Sequence, residues 1–191
     1  DQTMDIKAFE KIKSGYDYVV VAAGAGKSRL LPVPGAENAR FANDFLEHAK
    51  TPNFNPGKKI VIIGAGNVGC DVATEAHRLG ARDITLIDVQ KPAAFGKEKE
   101  DAEGCGAKFL WPVFTKEINK QGVVLEDGQV LGADTVVISI GDLPDLEFLG
   151  ESVQTRNGFV AVDSIGRTSD PKVFAIGDIV APGLLTDAIG M

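Results

Sequence analysis

The stretch Ile60–Asp71 reads IVIIGAGNVGCD and decides the fold. Its first four residues are apolar and β-branched, which is typical of a strand that is buried on both faces in a parallel sheet. Behind it, apolar residues recur at helical spacing until Gly80, so we predict a strand, a glycine turn and a helix. The turn has the spacing G-x-G-x-x-G and consists of Gly64, Ala65, Gly66, Asn67, Val68 and Gly69.

Each glycine of this turn has a distinct physical use. Gly64 permits a tight turn, Gly66 lets the backbone approach a pyrophosphate, and Gly69 lets the helix pack on the strand. The N-terminus of the helix offers free N–H groups and the positive end of its dipole to phosphates. We therefore expect a dinucleotide to bind at residues 64–69. The alternative is a tight turn without a ligand.

Asp88 follows Gly64 by 24 residues and ends the next apolar run, ITLID. A carboxylate at this place can accept hydrogen bonds from both ribose hydroxyls of NAD, whereas the 2′-phosphate of NADP would lose them and meet a like charge. Val89 and Gln90 supply no arginine for that phosphate, although Lys91 could reverse the preference. We expect NAD to be favoured, with NADP as the alternative. The other interpretation of Asp88 is a solvated acid at a strand end.

Further apolar runs that end in glycine predict more buried strands on both sides of this core. They occupy residues 18–24, 135–141 and 173–177. Asp127-Gly128 is a turn signal between two short apolar segments, and it predicts an antiparallel meander before the strand at Thr135. Together these patterns predict an α/β fold, a Rossmann-like three-layer domain with a β-meander.

Prolines and glycines between residues 32 and 57 resemble a linker, and a second connection follows residue 143. We therefore place the nucleotide-binding domain at residues 58–142. A first segment, 1–57, precedes it, and a last segment, 143–191, follows it.

Composition narrows the function further. With 191 residues, 44% of them hydrophobic, and a net charge of −7, the chain is a globular protein and a poor candidate for binding nucleic acid or an anionic membrane. No apolar stretch is long enough to span a bilayer. Cys70 and Cys105 cannot form a disulfide framework or a four-thiolate site, and we assign no catalytic or metal-binding side chain. A cytoplasmic location is the default expectation. Because the first residue is Asp1, we expect a piece of a longer protein.

The chain resembles the pyridine-nucleotide-dependent flavoprotein oxidoreductases that have two dinucleotide-binding domains, and within them the glutamate synthase small-subunit branch. Besides residues 60–71, the matching segments are Tyr16–Ala25 (YDYVVVAAGA), Asp134–Asp145 (DTVVISIGDLPD), Thr168–Asp178 (TSDPKVFAIGD) and Leu185–Met191 (LTDAIGM), the last matching a helix. In that family the nicotinamide domain is inserted into an FAD-binding domain. The resemblance thus implies that the first and last segments are remnants of the FAD-binding domain.

The resemblance also implies roles for residues outside the glycine turn. Gly177 and Asp178 match the motif that contacts the flavin, and the alternative for Asp178 is a helix N-cap before Ile179. Asp71 matches an acid near the nicotinamide, or else it is a solvated acid in the first helical turn. Gly141 lies in the segment that matches the return crossover.

The function implied is that of an FAD-dependent NAD(P)H oxidoreductase. Hydride would pass from the nicotinamide, with NADH favoured, to FAD, and electrons would go on to an acceptor subunit or an iron–sulfur domain. No flavin glycine turn precedes Tyr18, so we expect this chain alone to be inactive and colourless. Val89 and Gln90 also depart from the arginines of the glutamate synthase branch. The rival hypothesis is a non-catalytic NAD(H)-sensing regulatory module, which leaves the flavin-like motif unexplained.

Overall fold

The computed structural model describes residues 4–183, which form four α-helices and fourteen strands. The helices are α1 Ile6–Gly15, α2 Ala42–His48, α3 Asn67–Arg78 and α4 Gly96–Gly104. The strands are β1 Val19–Val21, β2 Lys27–Ser28, β3 Arg40–Phe41, β4 Lys59–Ile63, β5 Asp83–Ile87, β6 Lys108–Leu110, β7 Thr115–Asn119, β8 Gly122–Leu125, β9 Val130–Gly132, β10 Thr135–Ile138, β11 Asp142–Leu143, β12 Thr155–Arg156, β13 Phe159–Val160 and β14 Val173–Ala175. Short 3₁₀ segments cover Ala36–Asn38, Glu147–Ser152 and Gly177–Ile179. The predicted helix at Leu185–Met191 lies outside the described residues.

Five strands form a parallel sheet with the order β3-β10-β4-β5-β6, which is called the central sheet below because it lies between two layers of residues 28–141. The apolar run of β4 is continuous because both faces of the sheet are covered. Ile60 and Ile62 face a core shared with α2, α3 and α4, whereas Val61 and Ile63 face a core shared with the meander. The predicted α/β fold with a parallel sheet is confirmed.

The meander on the second face is the antiparallel sheet β7-β8-β9. Its second turn is the predicted Asp127-Gly128 pair, where Gly128 has φ +87°. The carboxylate of Asp127 accepts a hydrogen bond of 2.9 Å from the backbone N–H of Gln129, which closes the turn. Buried Val123 and Leu125 of β8 pack this sheet against the central one.

The chain divides into two compact units, of which Ser28–Gly141 is one. Arg29 donates a backbone hydrogen bond of 3.1 Å to the carbonyl of Gly141, so the chain enters and leaves this unit at one place. The boundary differs from the one we predicted at residue 57. Phe45 of α2 is 0% exposed in the core of this unit, where it also packs edge-to-face against Phe54 at a centroid distance of 5.4 Å.

The other unit contains the described residues before 28 and after 141. Its strands β1 and β14 pair in parallel, with Val19 opposite Val173. Phe9 of α1 packs in the core of this unit, and Lys13 of the same helix forms an ion pair of 2.8 Å with Asp170. The assignment of this unit to a flavin domain stays a prediction. Among residues 4–183 no helix is both long and apolar enough to cross a membrane.

Candidate functional site

The glycine turn connects β4 to α3 at the carboxyl edge of the central sheet. Gly64 has φ +108°, and a Cβ atom there would overlap the backbone carbonyl of Ser139. Its N–H donates a hydrogen bond of 2.8 Å to the carbonyl of Ile87, at the end of β5. Only glycine combines this left-handed backbone with such a close approach to a neighbouring strand.

Gly69 and Gly66 differ in what surrounds them. A Cβ atom on Gly69 would overlap the carbonyl of Gly64, so α3 rests directly on the turn. Gly66 has an extended backbone with φ −87°, and a Cβ atom there would have no neighbour within 4 Å. The fold therefore requires glycine at 64 and 69, whereas residue 66 faces open space.

The N-terminus of α3 begins at this open space. Gly66 is the N-cap residue, and no side chain of the described residues caps the helix there. The twelve-residue helix also has no acid in its first turn. The first N–H groups and the positive end of the dipole thus face the region that Gly66 leaves open, which is the arrangement that binds anions.

Asp88 lies beside the turn, directly after β5. Its Oδ2 accepts a hydrogen bond of 2.9 Å from the N–H of Ala65, and its Oδ1 accepts one of 3.1 Å from the N–H of Gln90. The half-buried carboxylate is therefore held in a defined orientation. Each carboxylate oxygen has a further lone pair, so the group can still accept hydrogen bonds from a ligand.

The loop after Asp88 is attached to the same turn at two points. Ala94 donates a backbone hydrogen bond of 3.1 Å to the carbonyl of Ala65, and Phe95 donates one of 3.0 Å to the side-chain oxygen of Asn67. Asn67 thus positions this loop. Val68, the next residue, is 45% exposed at the start of α3.

A cavity of about 160 Å³ opens beside Asp88 and is also lined by Gly64, Phe114 and Glu126. A larger cavity of about 570 Å³ adjoins Phe114 and Glu126 and is lined further by Trp111. Sequence reasoning did not identify these last three residues. The position of the loop 111–114 in the sequence could have pointed to this region. The loop follows β6 and therefore starts at the edge of the sheet where β4 and β5 end.

Asp71 is not among the residues that line either cavity. It is exposed on α3, and its pKa is raised by desolvation and then by the nearby carboxylates of Glu98, Glu75 and Asp101. Burial raises the pKa of the neighbouring Cys70 thiol to about 11. The residues between 4 and 183 contain no cluster of three or more His, Cys, Asp or Glu residues that could hold a metal ion.

The other predicted site residues lie in or next to the second unit. Gly141 has φ +90° and ends the unit Ser28–Gly141, and Gly177 has φ +75° at the start of a 3₁₀ segment. Asp178 is the second residue of that segment, whose N-cap is Ile176 without a side-chain hydrogen bond. The interpretation of Asp178 as an N-cap is therefore wrong, because the helical turn begins before it.

Comparison with known proteins gives a consistent family match. The family model for pyridine nucleotide-disulphide oxidoreductases matches residues 3–191. Monodehydroascorbate reductase 5 of Oryza sativa subsp. japonica is 32% identical over 87% of the chain and 37% of its own length. Rubredoxin-NAD(+) reductase of Pseudomonas putida is 31% identical over 85% of the chain and 46% of its own length. The chain thus spans less than half the length of these curated relatives.

Solved structures show the same fold. The T. acidophilum thioredoxin reductase superposes with a TM-score of 0.74 at 22% identity, over 91% of this chain and 61% of that one. A ferredoxin reductase from Rhodopseudomonas palustris superposes with a TM-score of 0.69 at 27% identity, over 86% of this chain and 44% of that one.

Proposed function

Because the chain belongs to the pyridine nucleotide-disulphide oxidoreductase family, we propose that it is the nicotinamide-nucleotide-binding part of an FAD-dependent NAD(P)H oxidoreductase. One observation carries the proposal. The carboxylate of Asp88 is hydrogen-bonded at 2.9 Å to the glycine turn whose Gly66 faces open space. A carboxylate that can accept hydrogen bonds from a ribose thus lies beside a turn that leaves room for a pyrophosphate.

Different residues of the site would hold different parts of a dinucleotide. The pyrophosphate would lie over Gly66, where the first N–H groups of α3 donate to it and the helix dipole favours its charge. The adenosine ribose would donate its two hydroxyls to Asp88, whose orientation is already set by Ala65 and Gln90. Val89 and Gln90 provide no cation for a 2′-phosphate, so NADH is the favoured nucleotide.

When bound, the nicotinamide would supply the hydride and FAD would accept it. This chain would hold the nicotinamide nucleotide and contribute only part of the flavin site. Gly177 and Asp178 are the residues we assign to the flavin. The left-handed backbone of Gly177 at the end of β14 lets the chain turn there, and the half-buried Asp178 supplies hydrogen-bond acceptors. Gly141 would allow close backbone approach where the chain leaves the unit Ser28–Gly141.

Electrons would go on to a protein partner or an iron–sulfur domain. The names of two relatives, rubredoxin-NAD(+) reductase and the biphenyl dioxygenase system ferredoxin--NAD(+) reductase component of Paraburkholderia xenovorans (strain LB400), support a protein partner as the acceptor. The resemblance to the glutamate synthase small-subunit branch adds an iron–sulfur partner in the cytoplasm as the specific candidate. A non-catalytic sensing module is not favoured by any feature of the site.

Calorimetric titration of the chain with NADH tests the nucleotide site directly. We expect saturable one-to-one binding, which Gly66→Val abolishes while the circular dichroism spectrum stays that of the folded protein. No binding of either NADH or NADPH by the folded wild type would overturn the proposal. For the longer protein that contains this chain, we expect flavin absorbance bands and reduction of an artificial acceptor dye by NADH. A longer protein that binds NADH but has neither property would be a sensing module instead.

A further inference from the structure

We propose that Glu126 is a second carboxylate that selects against a 2′-phosphate on the bound nucleotide, and this inference rests on the proposed function. Glu126 and Asp88 line the same cavity of about 160 Å³, together with Gly64 of the glycine turn. A 2′-phosphate on a ribose held by Asp88 would therefore lie next to a space that Glu126 also lines.

The position of Glu126 relative to Asp88 is set by backbone hydrogen bonds. The carbonyl of Asp88 accepts a bond of 2.8 Å from the N–H of Val113, and the carbonyl of Phe114 accepts one of 3.0 Å from the N–H of Glu126. Val113 and Phe114 are consecutive, so two bonds connect the end of β5 to the end of β8. Leu125, the residue before Glu126, is buried under the central sheet. The backbone of Glu126 is thus held in place by a hydrogen bond and by the burial of the residue before it.

The charges around the two carboxylates favour a hydroxyl over a phosphate. Within residues 4–183, neither Asp88 nor Glu126 forms an ion pair with a lysine, arginine or histidine. A phosphate monoester carries a charge of about −1.5 to −2 at neutral pH, so it would meet two negative groups that have no ion-pair partner among the described residues. The ribose hydroxyl of NADH carries no charge. The pyrophosphate is common to both nucleotides, and its repulsion cancels when their affinities are compared.

Glu126→Gln tests the inference, because it removes one charge and keeps nearly the same shape. We expect the Kd for NADPH to fall about fivefold relative to that for NADH at low ionic strength, as for one exposed charge pair. The change should shrink in concentrated salt, since screening weakens interactions between exposed charges. Calorimetric titration of both nucleotides, in low and in high salt, measures both effects.

Asp127→Asn is the matched control. It removes the same charge one residue further along, and asparagine can still accept the hydrogen bond from the N–H of Gln129. Asp127 lines the larger cavity but not the one beside Asp88, so the NADPH-to-NADH ratio should stay as in the wild type.

An unchanged ratio in Glu126→Gln, or an equal change in Asp127→Asn, would overturn the role of Glu126 while leaving the nucleotide site intact. If the folded wild type binds neither NADH nor NADPH, the proposed function is overturned and this inference with it. If NADPH binds the wild type too weakly to titrate, an Asp88→Asn background brings both Kd values into range, and the same shift is expected there.

Discussion

The N–H of Ala65 donates a hydrogen bond of 2.9 Å to Oδ2 of Asp88. This bond connects the turn after β4 to the acid after β5, two positions that are 23 residues apart in the sequence. A carboxylate that is already oriented by the protein loses little freedom when a ligand binds, so its hydrogen bonds contribute more of their energy to affinity.

We therefore predict that the chain binds NADH at least about tenfold more tightly than NADPH, which corresponds to the loss of one charge-assisted hydrogen bond. Combining Asp88→Ser with Val89→Arg should narrow or invert this ratio, because it removes the like charge and adds a phosphate ligand. Titration calorimetry of both nucleotides on both proteins measures it. Equal affinities of the wild type for NADH and NADPH would contradict the prediction.

The glycines of the turn should respond differently to substitution. Gly66→Val should leave the melting temperature nearly unchanged and abolish nucleotide binding, because its side chain would occupy only open space over the turn. Gly64→Ala should lower the melting temperature by several degrees, because alanine at φ +108° is strained and would overlap Ser139. Thermal melts and titrations of both variants check this. A Gly66→Val variant that melts like the wild type and still binds NADH normally would show that the turn is not the site.

Cys70 should be inert in the folded protein. It is fully buried, and its pKa of about 11 leaves roughly one thiolate in a thousand at pH 8. In a Cys105→Ser variant we expect no fast reaction with a thiol reagent under native conditions and one reactive thiol per chain in denaturant. Rapid native labelling of that variant would mean that α3 opens far more readily than its packing indicates.

Asp134 should contribute stability that depends on pH. The backbone N–H groups of Lys59 and Lys58 donate hydrogen bonds of 2.9 and 2.7 Å to its Oδ2, and they lower its pKa below the ordinary 3.8. Since the folded pKa is the lower one, the stabilisation is complete above pH 3.8 and is lost as the pH falls through the folded value. The melting temperature of Asp134→Asn should therefore decline less between pH 5 and pH 3 than that of the wild type. This pH range brackets the ordinary aspartate pKa of 3.8. If the melting temperatures of the two proteins fall by the same amount across this pH range, Asp134 does not have this role.

Local patterns predicted the centre of the fold well. Three predicted features are present, namely the strand before Gly64, the helix after Gly66 and the meander turn at Gly128. They depend on the spacing of apolar residues and on the backbone freedom of glycine, which can be read from neighbouring residues.

Even so, the pattern did not show which side of a helix is covered. Val68 shares the helical spacing of the buried Val72 and Ala76 but is 45% exposed. By contrast, Gly69 and Cys70 beside it are buried.

Pairings between distant segments could not be predicted in the same way. The proline-rich region 32–57 resembled a linker, but Arg40 pairs with Val137 and Phe45 is buried with the central strands. Trp111 and Glu126 reach the candidate site only through the register of β6 and β8, which no local pattern specifies. The ligand roles of the predicted site residues stay predictions.

The hydrogen bond between Arg29 and Gly141 means that the unit Ser28–Gly141 begins and ends at a single point. A module of this kind can be grafted into another polypeptide at one loop, since the host must open by only the width of two adjacent strands. Closing its ends with a few residues also costs little loop entropy, so the Asp127-Gly128 turn could serve as a new pair of termini. The unit is therefore suited to exchange between different proteins as an intact cassette.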